Sequence, residues 1–122
     1  MRKVAMLAAT VAIVVLVAAS AVYAMNKTCT SYPCRGTNKD DVLFERHGNK
    51  VRDAIFGLKK ADRINASTWG RDADNLYGGP GYDNLTAGDN DGKDTLNGGG
   101  GVDTCNGDIG DVGTSCEKGN LS

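Results

Sequence analysis

The sequence predicts an all-β protein, a parallel β-roll in which two facing sheets wind as a right-handed solenoid of about seven nine-residue repeats. The first observation is an aspartate followed two residues later by an aliphatic residue or cysteine. The pairs are Asp41/Leu43, Asp53/Ile55, Asp62/Ile64, Asp74/Leu76, Asp83/Leu85, Asp94/Leu96 and Asp103/Cys105. The second observation is the spacing of these apolar positions, which is 12, 9, 12, 9, 11 and 9 residues. A roll with one repeat per sheet in each turn explains that alternation.

The alternating steps assign the connections to two edges of the roll. A plain edge carries the short turns, at residues 36–41, 57–62, 78–83 and 98–103. An inserted edge carries the longer connections, with extra residues at 45–47, 66–68 and 87–88. Side chains alternate in direction along a strand, so the apolar positions form a thin ladder between the sheets. So small a core stabilises weakly, and we expect metal and disulfides to contribute.

Two stretches of the plain edge, residues 78–86 and 98–106, spell the nonapeptide G-G-x-G-x-D-x-U-x, where U is the inward apolar residue or cysteine. Glycine allows turn conformations that other residues avoid, and the turning backbone exposes carbonyl oxygens. The aspartate adds a carboxylate at the same edge, and Ca²⁺ takes about six to eight oxygen ligands. The predicted calcium-binding positions are Gly79, Gly81, Asp83, Gly99, Gly101 and Asp103.

The nonapeptide resembles the hemolysin-type calcium-binding (RTX) repeat over residues 36–116, and the short form with cysteines at both ends is similar to small secreted actinobacterial members. The resemblance implies that the sixth-position aspartate and turn carbonyls hold calcium, first at Asp83 and Asp103. Asp62 follows, because its repeat keeps only the first glycine. Substitution of Asp83 or Asp103 by alanine should therefore weaken binding more than Asp41→Ala. The more degenerate repeats extend the metal prediction to Asp41, Asp53, Asp74 and Asp94.

The inserted edge carries its own acidic loop at residues 88–94, where Asp89, Asp91 and Asp94 surround a glycine. The loop resembles part of an EF-hand, D-x-D-G, but has no glutamate at the bidentate closing position. Two interpretations stay open: an enlarged turn that binds calcium, and a solvated acidic loop.

The first 24 residues have the organisation of a secretory signal peptide. Arg2 and Lys3 form a basic start, an apolar run follows, and small residues at positions 19–24 offer cleavage sites. The predicted organisation is signal peptide 1–24, N-terminal cap 25–35, repeats 36–106, and C-terminal cap and tail 107–122. The protein is therefore expected to be secreted, without membrane attachment after signal removal. The alternative is an uncleaved membrane anchor, since the run is long enough to span a bilayer.

Four cysteines in a short exported chain predict disulfides, and three pairings are possible. Two local bridges, Cys29–Cys34 and Cys105–Cys116, are the preferred arrangement. The rival is a zinc site, but the spacings lack paired C-x2-C elements. Cys105 is the seventh U position, and Cys116, eleven residues later, is predicted to be the eighth, on the facing sheet. The second bridge would then close the open end of the ladder.

Composition narrows the functional classes. Without Arg2 and Lys3 the chain has 12 basic and 15 acidic residues, a formal charge of −3, which argues against nucleic-acid binding. No G-x-S-x-G or H-E-x-x-H motif occurs, so no catalytic activity is expected. The lone His47 and Trp69 are expected to be a solvated and a packing residue, and Phe44, Phe56 and Tyr77 could form an aromatic row.

These observations predict a secreted calcium-ion-binding module with a structural, cell-envelope or adhesion role. Two alternatives remain. The first is a platform that binds a cell-surface or protein partner through the inserted turns, and the second is a remnant accessory domain of an RTX-type secreted enzyme or toxin. A further alternative is a degenerate repeat protein that no longer binds metal usefully.

Overall fold

A computed structural model describes residues 24–46, 52–67 and 72–121. This part of the chain contains eleven short β-strands and no helix. The strands are β1 (Asn26–Cys29), β2 (Cys34–Arg35), β3 (Val42–Glu45), β4 (Ala54–Phe56), β5 (Arg63–Asn65), β6 (Asn75–Gly81), β7 (Asn84–Ala87), β8 (Thr95–Gly101), β9 (Thr104–Gly107), β10 (Val112–Thr114) and β11 (Lys118–Leu121). The prediction of an all-β chain is confirmed.

Successive strands alternate between two parallel sheets. The first sheet has the order β1-β3-β5-β7-β9-β11, and the second has the order β10-β8-β6-β4-β2. Every strand pair described is parallel. This is the two-sheeted β-solenoid predicted from the spacing. The longer steps all run from the first sheet to the second, so the inserted edge and the plain edge lie on opposite sides.

The U residues form the predicted ladder. In the first sheet, Leu43, Ile64, Leu85 and Cys105 pair in register, and in the second sheet Ile55, Leu76 and Leu96 do so. All seven are at most 1% exposed. Burial follows directly from strand geometry, because residues on either side of each U point to the outer face.

The predicted caps are continuous with the sheets. Cys34 lies in the U register of the second sheet, opposite Ile55. Its bridge to Cys29 has a Cα–Cα distance of 5.6 Å and joins β1 to β2. The bridge between Cys105 and Cys116 has a Cα–Cα distance of 5.7 Å, so both local disulfides are confirmed.

The predicted register of Cys116 is wrong. Gly113 pairs with Leu96 and takes the eighth U position, eight residues after Cys105. The reason is a tight turn at residues 107–111, in which Gly110 has φ +105°, so the last connection is shorter than the earlier ones. Because Gly113 has no side chain, the side chain of Leu121 and the sulfur of Cys116 occupy the space beside it. The disulfide therefore still helps to close the ladder.

The aromatic residues do not form one row. Phe56 and Tyr77 stack on the second sheet with ring centroids 4.7 Å apart, and the guanidinium of Arg35 lies 4.7 Å from the Phe56 centroid. Phe44 lies in the first sheet instead, because it follows a U residue of the opposite row.

Several predictions concern residues outside the described part of the chain. His47, Trp69 and almost all of the signal segment 1–24 fall there. Within the described residues, no helix has the length and apolar character needed to cross a membrane.

Candidate metal centres

Both edges of the solenoid carry a ladder of buried aspartates. The plain-edge ladder consists of Asp41, Asp62, Asp83 and Asp103, and the inserted-edge ladder consists of Asp53, Asp74, Asp94 and Asp111. All but Asp111 are at most 2% exposed. The carboxylates were expected at the edge itself, but they lie beneath the turns, because each aspartate sits two residues before an inward U residue and shares its direction.

One carboxylate oxygen of these aspartates accepts a hydrogen bond from a backbone N–H group of the preceding turn. On the plain edge, the N–H groups of Asp41, Asp62 and Asp83 donate to Oδ1 of the next aspartate, at 2.7–2.8 Å. The inserted edge repeats the pattern at 2.7–3.2 Å. Glu117 ends the plain-edge ladder by accepting the N–H of Asp103 at 2.8 Å. These bonds satisfy backbone donors that the turns would otherwise bury unpaired.

Asp41 differs from the other aspartates of the plain-edge ladder in the hydrogen bonding of its second carboxylate oxygen. Among the described residues, nothing donates a hydrogen bond to the buried Oδ2 atoms of Asp62, Asp83 and Asp103. Asp41 differs, because the backbone N–H and hydroxyl of Thr37 both donate to its carboxylate, and Met25 N–H donates at 2.7 Å. Burying a carboxylate oxygen without a hydrogen-bond donor is energetically costly. A bound cation would remove this cost at Asp62, Asp83 and Asp103, whereas Asp41 already has donors.

The glycine at the first motif position leaves a small space beside each of these oxygens, and this space is called the glycine cradle below. A methyl group built on Gly78 would collide with Asp83 Oδ2 and with the carbonyl oxygen of Gly98 in the next turn. A methyl group on Gly57 or on Gly98 would likewise collide with a carboxylate oxygen and with a backbone carbonyl oxygen. Glycine at the first motif position thus leaves space in which side-chain and backbone oxygens from adjacent turns converge. Oxygen donors from successive turns are the ligand type that Ca²⁺ accepts.

The other motif glycines keep the turns close together. Gly79 pairs with Gly99, and Gly81 pairs with Gly101, in adjacent turns. A side chain on Gly99, where φ is +97°, would strike the carbonyl oxygen of Gly79. The degenerate turn at residues 57–62 keeps part of this backbone, since Leu58 has φ of +92°, close to the +101° of Gly79. Loss of the second motif glycine therefore has not removed the left-handed backbone at that position.

The inserted edge brings together the acidic loop anticipated from the sequence. Asp89, Asp91 and Asp94 each offer a carboxylate oxygen, and these oxygens lie within 4.8 Å of one another. Lys93 Nζ lies 3.9 Å from Asp91 Oδ2, and Asn90 N–H donates to Asp108 of the next turn. Asp89 and Asp91 are only partly buried, but one carboxylate oxygen of each of the three aspartates is buried and accepts no hydrogen bond from a described residue, so the structure supplies a candidate metal group here.

A second inserted-edge group contains two residues that sequence reasoning missed. Glu45, Asp53, Asp72 and Asp74 offer carboxylate oxygens within 4.8 Å of one another, and all four residues are buried. Strand periodicity could have revealed Glu45, which stands two residues after Leu43 and so points inward. Asp72 precedes Asp74 by two residues and faces the same way. Neither belongs to the repeat motif.

Burial and the charges of neighbouring acids raise the pKa values of several of these carboxyl groups. Burial, followed by the charges of Glu45 and Asp72, raises the pKa of Asp74 to about 8. Burial is also the main cause in a second set, with a pKa of about 7 for Asp62 and Asp94 and about 6 for Asp83 and Asp89. Raised carboxylate pKa values show that the apoprotein resists full ionisation, which a bound cation would relieve.

Comparison of the chain with protein-family models, with curated proteins and with solved structures gives no match in any of the three. The functional interpretation therefore depends on the chain's own repeats and on the geometry of the two ladders.

Proposed function

We propose that this protein is a secreted calcium-ion-binding β-solenoid module of the RTX-repeat type, with a structural role in the cell envelope or in adhesion. One observation supports the proposal most directly. Asp62, Asp83 and Asp103 each bury a carboxylate oxygen to which no described residue donates a hydrogen bond, beside a glycine cradle faced by a carbonyl of the adjacent turn. The same arrangement therefore recurs on three successive levels of the plain edge.

The chemistry of these groups favours calcium over other divalent cations. The donors are carboxylate and carbonyl oxygens, which suit hard cations. Mg²⁺ demands near-ideal octahedral geometry and keeps several waters, whereas Ca²⁺ accepts irregular sets of oxygens. Each ion would bind oxygens from adjacent turns and so join the levels of the solenoid.

Folding and calcium binding should be coupled. The core between the sheets is one side chain wide in each row, while the plain-edge ladder stacks carboxylates about 4.8 Å apart. At that spacing ionised neighbours repel, and a cation between them reverses the sign of the interaction. Calcium is then part of the stable fold.

Secretion is proposed from the N-terminal segment and fits the disulfides. Both bridges join cysteines in the described residues, and such bridges persist in oxidising compartments. The role outside the cell follows from this location and from the repeat resemblance.

Calcium titration of the purified, disulfide-bonded protein tests the proposal. Far-UV circular dichroism and thermal unfolding are measured in excess chelator and then in millimolar calcium, with magnesium as the control cation. We expect calcium to increase the β signal and to raise the melting temperature, with a much smaller response to magnesium. Identical unfolding curves in chelator and calcium would refute calcium binding as the function.

A further inference from the structure

We propose that Glu45, Asp53, Asp72 and Asp74 bind one calcium-class divalent cation in a closed site that is separate from the repeat-turn cradles and joins two inserted-edge connections. The inference rests on the proposed function only for the identity of the cation. Its ligands include two residues outside the repeat motif, so it does not depend on whether the plain edge binds calcium.

The four acids converge from two successive connections. Glu45 ends β3 and Asp53 precedes β4, so they belong to one connection, whereas Asp72 and Asp74 precede β6 and belong to the next. Their exposed fractions are 3%, 1%, 4% and 1%, in chain order. Since one oxygen from each lies within 4.8 Å of the others, a single ion could contact all four. Such an ion would hold the two connections together.

Asp72 provides independent support for a ligand at this place. Among the described residues, no donor reaches either of its carboxylate oxygens, although the side chain is more than nine-tenths buried. Its carboxylate accepts none of the backbone hydrogen bonds of the ladder, whereas Asp74 Oδ1 accepts the N–H of Asp53 at 3.2 Å. Asp74 Oδ2 likewise lacks a donor among these residues. The ladder therefore explains why Asp74 is buried but not why Asp72 is.

The position of Glu45 shows that an acid is not required there by packing. The equivalent positions, two residues after the U residues Ile64 and Leu85, hold Ala66 and Ala87, both fully buried. Alanine therefore fits this row in the neighbouring turns. A glutamate in the same place adds a charge beside Asp74, where it raises the pKa of that carboxyl group.

The burial of this group determines the kind of cation. Four carboxylates that bind in part through both oxygens would supply about six to eight oxygens, the number of a calcium site, without requiring many waters. Mg²⁺ dehydrates reluctantly and would have to lose most of its waters in so enclosed a place. All-oxygen donors also disfavour zinc, which is usually bound through nitrogen and sulfur. The site should thus discriminate calcium from magnesium more strongly than the partly exposed group at Asp89, Asp91 and Asp94.

The test counts bound calcium per chain in Glu45→Ala and Asp72→Asn. Equilibrium dialysis with metal analysis gives the number of ions, and thermal unfolding with and without chelator gives their effect. Asp40→Asn is the matched control, because Asp40 is exposed and only accepts the Ala61 N–H at 3.1 Å. We expect each site variant to lose one ion, or to bind it roughly tenfold or more weakly, and the control to bind as the parent does.

The outcomes distinguish this site from the proposed function. If both site variants bind the parental number of ions with unchanged affinity, the closed site is overturned while calcium binding elsewhere stands. If the parent binds no calcium at all, the proposed function fails together with its choice of cation. The Glu45→Ala variant is expected to fold, because alanine already occupies the equivalent buried positions at Ala66 and Ala87. Lower stability of this variant in chelator, with unchanged ion number, would show that the acids are neutralised by the protein itself and would also overturn the site.

Discussion

Replacement of Asp83 by asparagine should stabilise the calcium-free protein and weaken its response to calcium. Asparagine keeps the Oδ1 acceptor for the Asp62 N–H, which now lies 2.8 Å away. Its new amide N–H group would face the space beside Gly78 that the carbonyl oxygen of Gly98 also lines. The substitution removes a charge that stands between Asp62 and Asp103 in the plain-edge ladder. The hydrogen-bonded framework is preserved, so the change isolates charge and ligand number.

The expected magnitude follows from the ladder spacing. Carboxylates on adjacent strands lie about 4.8 Å apart, and at an effective dielectric constant of about 20 each ionised pair costs at most about 3.5 kcal/mol. Asp83 has a pKa of about 6, so it is ionised near pH 8. Relief of about 1–3 kcal/mol would raise the melting temperature in chelator by roughly 5–15 °C. Loss of one ion would remove about 2.7 kcal/mol of stabilisation at calcium a hundredfold above Kd.

Asp41→Asn is the matched control in the same ladder. Its carboxylate accepts hydrogen bonds from Thr37 and from Met25, so an amide would set one N–H group against another. We expect this variant to lose about 1–3 kcal/mol in chelator and in calcium alike, with no change in the calcium-dependent shift. The assay is thermal unfolding by circular dichroism near pH 8 under both conditions. Equal losses of calcium response in the two variants, or destabilisation of calcium-free Asp83→Asn, would refute the reasoning.

Three further predictions concern pH, turn backbone and the C-terminal bridge. Burial raises the pKa of Asp74 to about 8 in the folded protein, against an ordinary value of 3.8, so the calcium-free protein should lose stability as pH rises between about 4 and 8. Chemical unfolding at several pH values measures this, and a rise in stability would contradict it. Calcium should reverse that trend, since cation binding favours ionised carboxylates. Gly99→Ala should lower the free energy of unfolding in urea by about 1–3 kcal/mol. Gly100→Ala has open space around the added methyl group, so its free energy of unfolding should lie within about 0.5 kcal/mol of the parent value. Similar losses in the two variants would show that the close stacking of the turns is unimportant for stability. Replacing Cys105 and Cys116 together by serine should cost about 2–3 kcal/mol, and an unchanged melting temperature would show that Leu121 closes the ladder alone.

The repeat spacing alone was enough to predict most of the architecture. Strand periodicity determines which residues face inward, and alternating step lengths determine which sheet each repeat joins. The core from Leu43 to Cys105 and the two edges followed from these local rules, whereas the disulfides were predicted from four cysteines in a short exported chain. The same rules could have identified Glu45 as inward-facing, but the twelve-residue step from Leu43 to Ile55 placed it among the inserted residues.

Only the tertiary structure decided the environment of each carboxylate. The ladder bonds join residues 20 or 21 positions apart on the plain edge, so they depend on how turns stack, which local pattern does not specify. Stacking placed Thr37 against Asp41, left Oδ2 of Asp83 beside a carbonyl of the next turn, and brought Asp72 to Glu45. It also gave the eighth inward position to Gly113 instead of Cys116, because a tight turn shortened the last connection. Sequence patterns set the direction of a side chain, whereas its partners depend on the three-dimensional course of the neighbouring turns.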